Sequence, residues 1–323
     1  MDITVAICTW NRADLLNQTL TRLQQLVIPK DLQWEIVVVN NACTDQTPEI
    51  VARHQEHLPL RMVMEPEPGL SCARNRAVQA AQGRWIIWTD DDILVSNQWL
   101  AQYWKHIHDL PDASFLGGPI TPWYEITAPD WVTAGWKTVC AAYGFRQLGD
   151  KIRPFTHRKL PFGANYGMPL DIQRRYPYDP DLGRKQAEML SGEETVVLRK
   201  MLADGHRGYW LPEASIQHFI PADHLTLDYV SSQFHGFGRT AVLMEQRSKT
   251  SPTRIPFSRK FRCYCKALMY SAIYGLLKRT AGPRWWVTYL AKSNRRWGRI
   301  SAYREINQKP AADTATPPQR MAA

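Results

Sequence analysis

The first hundred residues alternate between two hydrophobic patterns. Short apolar runs rich in β-branched residues predict buried strands at 3–8, 35–39, 60–64 and 85–89. Apolar residues then recur three and four positions apart from Leu16 to Val27, which is typical of an amphipathic helix. Thr47-Pro48 and Ser71 are helix-start signals, and they predict helices over 48–57 and from Ser71 to Gly83. This order predicts an α/β fold with a mostly parallel central sheet and helices on both faces.

The pattern weakens after residue 110. Residues 111–185 are rich in proline, glycine and aromatic residues, which predicts long loops that line a site or are partly mobile. Residues 192–205 return to a helical pattern that ends at Gly205. Residues 208–219 predict a final strand with a turn at Pro212.

Composition places the chain among globular proteins. Apolar residues make up 44% and charged residues 22% of the 323 residues, which excludes a mainly disordered chain. The six cysteines form no CxxC pair, so we expect a reducing cytosol rather than a disulfide framework or a zinc ribbon. MDITVAICTW leads directly into a strand, and no signal peptide is predicted.

The net charge of +10 is concentrated near the C-terminus. Residues 1–246 carry 23 Lys and Arg against 28 Asp and Glu, whereas 247–323 carry 17 against 2. An apolar stretch at 267–277 lies between cationic flanks and is shorter than the roughly 20 residues that span a bilayer. Two interpretations stay open: a helix lying in an anionic membrane interface, or a helical subdomain packed on the core with a solvated basic face. No nucleic-acid motif is found, and no nucleic-acid partner is expected.

Polar side chains gather where the predicted strands end, which is where open α/β sheets bind ligands. Asp90, Asp91 and Asp92 directly follow the strand at 85–89. Their repulsion is relieved if Mg²⁺ or Mn²⁺ binds them together with a substrate phosphate. An acidic helix N-terminus before Asn97 explains the same run.

Two further loops offer groups that suit a nucleoside diphosphate. Asn40, Asn41 and Asp45 follow the second strand and can contact base and ribose. Arg74 lies in the first turn of a predicted helix and can contact phosphates. Taken singly, Arg74 is equally well explained as a solvated surface arginine.

An ordered set of fragments carries a family resemblance: VAICTWNR, EIVVVNNACTDQTPEI, EPEPGLSCARNRAV, GRWIIWTDDD, GANYG, YDPDLGR, GEETVVLRKMLADG and GYWLPEASIQHFIP. Over about residues 3–240 the chain resembles family 2 glycosyltransferases of the GT-A fold. The resemblance implies a GT-A-like fold and a metal-dependent, inverting transfer of a sugar. The implied donor is a nucleotide-sugar, a UDP-sugar, and the implied acceptor is a hydroxyl on a lipid-linked or polysaccharide molecule.

The resemblance also implies roles for individual residues. The donor-binding set would be Thr9, Asn11, Arg12, Asn40, Asp45, Arg74, Asp90 and Asp91. The ligands of Mn²⁺ or Mg²⁺ would be Asp92, Asp90 and His218. Without the family pattern, His218 would be interpreted as a buried structural histidine.

Glu193 and Glu194 begin a predicted helix where the family usually has Glu-Asp. The resemblance implies that the second carboxylate deprotonates the acceptor hydroxyl. Because Glu194 is one methylene longer than aspartate, both glutamates remain candidates for the catalytic base. The helix dipole, which favours acidic residues at an N-terminus, explains the pair without any catalytic role.

These interpretations define a domain plan. Residues 1–245 form the catalytic domain, with a donor-binding half at 1–110 and an acceptor half at 111–245. A basic helical region at 246–309 and a disordered tail at 310–323 follow. We expect a cytoplasmic enzyme, which is peripheral on the cytoplasmic face of the membrane under the interfacial interpretation of the basic region.

Two other functions are alternatives to sugar transfer. A sugar-phosphate nucleotidyltransferase should have a glycine-rich N-terminal loop, whereas VAICTWNRAD contains no glycine. A membrane- or nucleic-acid-binding protein on a lapsed enzyme fold is disfavoured because the candidate carboxylates and Arg74 are all present.

Overall fold

The computed structural model describes residues 1–184, 190–247 and 254–308. The strands are β1 (Ile3–Thr9), β2 (Trp34–Asn40), β3 (Leu60–Met64), β4 (Trp85–Asp90), β5 (Ile93–Val95), β6 (Phe115–Gly117), β7 (Ile120–Tyr124), β8 (Arg153–Pro154), β9 (Tyr166–Pro169), β10 (Gly208–Trp210) and β11 (Ile216–Ile220). The helices are α1 (Ala13–Leu23), α2 (Thr47–His54), α3 (Leu70–Ala80), α4 (Trp99–Asp109), α5 (Asp130–Ala134), α6 (Trp136–Val139), α7 (Leu170–Arg175), α8 (Glu193–Ala203), α9 (Leu227–Arg247), α10 (Phe257–Thr280) and α11 (Pro283–Gln308).

The large sheet has the strand order β3-β2-β1-β4-β9-β6-β10-β8. Its first four strands run parallel, as predicted from their continuous apolar runs. Thr9 pairs with Asn40 and Cys8 pairs with Asp90, so the carboxyl ends of β1, β2 and β4 meet at one edge. β9 runs antiparallel between β4 and β6.

The side chains of the central strands alternate between two cores. Ile3, Val5 and Ile7 pack with residues of α1, α2 and α4 on one face of the sheet. Ala6 packs on the other face with residues of α3, α7 and α8. Helices on both faces, and with them the predicted α/β class, are therefore confirmed.

The segment 208–219 contains two strands rather than the one predicted. β10 belongs to the large sheet, whereas β11 lies between β5 and β7 in a separate three-stranded sheet. The turn at Pro212 separates them, so the chain passes from one sheet to the other at the predicted turn. The first helix also ends earlier than its apolar pattern indicated, since Val27 lies beyond α1 and is exposed.

The chain divides into two compact units. The first comprises Met1–Ala128 and Cys140–His224, and the second comprises Pro129–Val139 and the chain from Leu225 onward. The domain boundary predicted after residue 245 falls inside α9. The tail predicted to be disordered, 310–323, lies outside the described residues.

In the second unit α11 packs against α9 and α10. A Cβ on Gly238 would overlap the backbone of Arg295, and one on Gly298 would overlap the backbone of His235, so these glycines let α9 and α11 approach closely. Gly238 belongs to a formal GxGxxA match at 236–241, which is helical rather than a nucleotide-binding turn. Within the described residues no helix combines the length and apolarity needed to cross a bilayer.

Candidate active site

Three carboxylates form a tight turn between β4 and β5, here called the acidic turn (Asp90–Asp92). Asp90 ends β4 with a partly exposed side chain, whereas Asp91 and Asp92 are buried. β11 pairs with β5 beside this turn, and the Phe219 N–H donates to the Asp92 carbonyl at 2.8 Å. This pairing brings His218 to the turn, with its Nε2 3.4 Å from Asp92 Oδ1.

Asp90, Asp92 and His218 each present one ligand atom, and these atoms lie within 4.8 Å of one another. Asp92 Oδ1 and His218 Nδ1 are buried without a hydrogen-bond partner among the described residues. Two carboxylates and an imidazole suit Mn²⁺, and the carboxylates suit Mg²⁺. The residues therefore fit the divalent cation that the sequence predicted.

Arg12 lies against the acidic turn, with its guanidinium Nη1 2.7 Å from Asp92 Oδ2 and 3.2 Å from Asp91 Oδ1. Burial opposes ionisation of Asp92, but His218 and Arg12 outweigh it and lower the pKa. Burial raises the pKa of Asp91 to about 7, although Arg12 opposes the rise. Burial and the neighbouring Asp92 raise the pKa of Asp90. The positive groups therefore stabilise the ionised form of Asp92 more than those of Asp90 and Asp91.

The other predicted donor-binding residues lie in the loops at the same sheet edge. Asn11 has a left-handed backbone at φ 52, and its Oδ1 accepts the Thr44 N–H at 2.7 Å. The buried Asn40 accepts the Cys43 N–H at 2.8 Å. Thr9 is buried, and its carbonyl accepts the Asn41 N–H at 3.0 Å. These side chains and carbonyls shape the loops that border the acidic turn.

Asp45 joins the starts of two helices. Its Oδ2 accepts the Ala13 N–H at 2.9 Å, and its Oδ1 accepts the Thr47 hydroxyl at 2.6 Å. Burial acts to raise the pKa of Asp45, but these hydrogen bonds outweigh burial, so the pKa lies below its usual value. Asp45 therefore has a structural task whether or not it contacts a donor.

Arg74 is enclosed beneath the acidic turn with 3% of its side chain exposed. Its Nη1 lies 3.3 Å from Glu193 Oε1, and its Nη2 lies 3.9 Å from Asp90 Oδ1. The guanidinium carbon is 5.5 Å from the Trp88 ring centre and 5.4 Å from that of Tyr178. Arg74 thus connects the acidic turn to α8, a role that sequence reasoning did not identify.

Glu193 and Glu194, here called the glutamate pair, begin α8 after Gly192, whose φ is 96. Both are buried. Arg74 forms an ion pair with Glu193, whereas the side chain of Glu194 accepts a hydrogen bond from the Thr195 hydroxyl at 3.5 Å. Burial and the charge of Glu193 raise the pKa of Glu194 to about 7. A carboxylate with that pKa suits proton transfer near neutral pH.

Two cationic or titratable groups near the site were missed by sequence reasoning. The charge of Arg184 acts to lower the pKa of both Asp90 and Asp92. Burial lowers the pKa of His224 to about 4, and the charges of Arg184 and Arg12 act in the same direction. Arg184 follows Gly183 in the fragment YDPDLGR, and no local pattern in that loop marks it as a site residue.

Asn165, the central residue of the GANYG fragment, has a structural role. It is fully buried, and its Oδ1 accepts hydrogen bonds from Trp99 Nε1 and the Tyr103 hydroxyl, both at 2.9 Å. Its Nδ2 donates to the carbonyls of Pro119 at 3.0 Å and Ala214 at 2.7 Å. Asn165 therefore ties together the segments that lead into β7 and β11.

The sequence of the chain is similar to those of known proteins. Residues 4–159 match the model of Glycosyl transferase family 2. The succinoglycan biosynthesis protein ExoM of Rhizobium meliloti is 23% identical over 253 residues, which cover 74% of each chain.

Two solved structures share the fold. The mannosyltransferase PcManGT from Pyrobaculum calidifontis, in complex with GDP-Man and Mn²⁺, has a TM-score of 0.60 and 20% identity over 95% of this chain and 87% of that chain. S. aureus TarS 1-349 in complex with UDP-GlcNAc has a TM-score of 0.51 and 14% identity over 94% of this chain and 92% of that chain. The shared architecture is the GT-A fold.

Proposed function

Because residues 4–159 match the model of Glycosyl transferase family 2, we propose that the chain transfers a sugar with inversion from a UDP-sugar to a hydroxyl of a lipid-linked or polysaccharide acceptor. The observation that carries the proposal is the grouping of Asp90, Asp92 and His218 at the sheet edge, linked through Arg74 to the glutamate pair. The names of the relatives support the substrates, since TarS is solved with UDP-GlcNAc and ExoM is a succinoglycan biosynthesis protein.

Asp90, Asp92 and His218 would hold Mn²⁺ or Mg²⁺. The bound cation would neutralise the charge of the leaving diphosphate. The Mn²⁺ in the PcManGT complex supports a metal-dependent reaction. Thr9, Asn11, Arg12, Asn40, Asp45 and Asp91 would bind the donor from the loops around the acidic turn.

Glu194 is proposed as the general base. The acceptor oxygen forms a bond to the anomeric carbon while the bond from that carbon to the diphosphate oxygen breaks, and the diphosphate keeps the electron pair. The acceptor proton passes to the Glu194 carboxylate. Glu193, fixed by Arg74 at 3.3 Å, would orient the acceptor.

The charge distribution leads to one further part of the proposal. The C-terminal region at 246–309 would attach the enzyme to the cytoplasmic face of an anionic membrane, because it contains 16 Lys and Arg against a single Glu. Attachment would keep the catalytic unit near lipid-linked acceptors.

The test is release of free nucleoside diphosphate by the purified chain from a panel of UDP- and GDP-sugars, with Mn²⁺, with Mg²⁺ and with a chelator. We expect release from a UDP-sugar that depends on the metal. Asp112→Asn is the matched control for substitutions in the acidic turn, because Asp112 is an exposed aspartate that pairs with Arg207. No release from any nucleotide-sugar would contradict the reaction, and full release in chelator would contradict the metal.

A further inference from the structure

Helix α10 has a defined inner face within the second unit. Cys263 and Ala267 are buried on that face. The Ser271 hydroxyl lies 2.7 Å from the Ser293 hydroxyl, and the rings of Tyr270 and Tyr289 are in contact with centres 6.0 Å apart. These contacts fix which side of α10 faces α11.

The opposite side of α10 exposes a row of large apolar side chains among small and charged residues. Phe257, Phe261, Leu268 and Leu276 are spaced by four, seven and eight residues, which places them along one side of a helix. Their exposed fractions are 77%, 58%, 47% and 63%. At 1.5 Å per residue this apolar stripe is about 28 Å long. Soluble monomers rarely leave so long a stripe in water.

Positive charge surrounds the stripe. Helix α10 contains six Lys and Arg and neither Asp nor Glu. Arg262 and Lys266 are exposed beside the stripe, and Lys278 and Arg279 stand at its C-terminal end. In a symmetric pair of chains joined through this face, these cations would oppose one another. An anionic surface, in contrast, complements both the stripe and its rim.

We propose that the outer face of α10 inserts into the interfacial layer of an anionic bilayer. Phe257, Phe261, Leu268 and Leu276 lie among the acyl chains, while Arg262 and Lys266 bind headgroup phosphates. The proposal rests on the proposed membrane attachment and specifies its mode, which is apolar insertion of one helix face rather than adsorption by charge alone. It does not depend on the transferase reaction.

The test compares full-length variants in co-sedimentation with phosphatidylcholine vesicles that contain or lack phosphatidylglycerol. We expect the wild type to bind the anionic vesicles and Phe261→Ser/Leu268→Ser to lose at least about tenfold in partitioning at low salt. Arg262→Gln/Lys266→Gln should bind more weakly than the wild type at low salt, and its binding should fall less steeply as salt rises, because fewer cations contact the headgroups. Ile126→Ser/Ile152→Ser, which removes two exposed apolar side chains from the first unit, is the matched control and should bind like the wild type.

Cys265 gives a second measurement. It is the exposed cysteine, and it lies on the outer face of α10. An environment-sensitive fluorophore on Cys265 should shift to the blue on anionic vesicles, with Cys265→Ser as the labelling background. Nucleoside diphosphate release by each variant checks that its catalytic unit is folded.

The possible failures are distinguishable. No binding of the wild type at low salt would overturn both attachment and insertion. Binding that is unchanged in Phe261→Ser/Leu268→Ser would overturn insertion and leave charge-driven attachment standing. A dimer in light scattering that Phe261→Ser/Leu268→Ser dissociates would overturn the proposal by assigning the stripe to a second copy of the chain.

Discussion

The acidic turn and the glutamate pair are both runs of adjacent carboxylates that are largely buried, with Asp90 partly exposed, yet they differ in how their charges are compensated. At the acidic turn, Asp92 contacts both Arg12 and His218. In the glutamate pair, Arg74 contacts Glu193, and Glu194 retains a pKa of about 7. Converging ligand atoms suit a bound cation, whereas one carboxylate with a raised pKa suits proton transfer. The charged partners of each carboxylate, rather than the residue type, therefore separate the two roles.

The largest expected effect comes from removing a predicted metal ligand. Asp92→Ala should lower turnover by at least about 10³-fold, because the cation would no longer stabilise the leaving diphosphate. Metal-dependent nucleotide binding, measured by calorimetry, should weaken in parallel. Asp112→Asn should leave both unchanged. Normal turnover in Asp92→Ala would show that the acidic turn is not a metal site, and the contrast with the glutamate pair would be wrong.

The second prediction separates the two glutamates. Glu194→Gln should lower kcat by about 10²–10⁴-fold with donor binding nearly intact, because it removes the general base. Glu193→Gln should mainly weaken acceptor use, seen as a raised acceptor KM. The reverse pattern would assign the base to Glu193, and near-normal kinetics in both variants would remove α8 from the mechanism.

The third prediction concerns the link between the two clusters. Arg74→Lys keeps the charge but cannot contact Glu193 and Asp90 with the same planar group, so we expect about a tenfold loss of kcat/KM. Arg74→Met removes the charge that lowers the pKa of Glu194, so its acidic pH limb should move upward from the wild-type position near pH 7. Full pH–rate profiles measure the shift. An unchanged limb in Arg74→Met would mean that Glu194 is not the titrating base.

The alternation of patterns was enough to predict β1–β4 and their helices, because each strand is apolar on both faces. Parallel pairing then explains why residues far apart, such as Thr9, Asn40 and Asp90, meet at one edge. The meeting of Asp92 with His218 depends on β11 pairing with β5, which no local pattern reveals. The family resemblance, rather than periodicity, pointed to that histidine.

The burial of Arg74 and the exposed face of α10 could not be predicted, because both depend on which helix and strand faces pack together in the fold. Taken singly, Arg74 is explained as a surface arginine, whereas the fold encloses it between Trp88, Tyr178 and Glu193. The apolar stretch at 267–277 likewise suggested one apolar segment, whereas α10 extends over Phe257–Thr280 with apolar residues on both sides. A sequence pattern shows that a helix has two apolar faces, but not which one is covered.

The smallest expected effect is on the free energy of unfolding, which reports the charge state of the glutamate pair without an activity measurement. Burial raises the folded-state pKa of Glu194 from 4.5 to about 7, so its stabilising contribution is present below pH 4.5 and is lost as pH rises through 7. Glu194→Gln should therefore raise the free energy of unfolding at pH 8 by about 3 kcal/mol. This gain should vanish near pH 4. Urea unfolding at both pH values measures it.

Glu193→Gln supplies the contrast at pH 8. It leaves the buried guanidinium of Arg74 without its partner at 3.3 Å, so the free energy of unfolding should fall by about 2 kcal/mol. If the two substitutions change the free energy of unfolding in opposite directions, Glu193 is the carboxylate whose charge Arg74 compensates, and Glu194 is the one whose buried charge destabilises the fold. If both substitutions destabilise the chain at pH 8, a positive group also compensates the charge of Glu194. The two glutamates would then not differ in the way that assigns the base to Glu194.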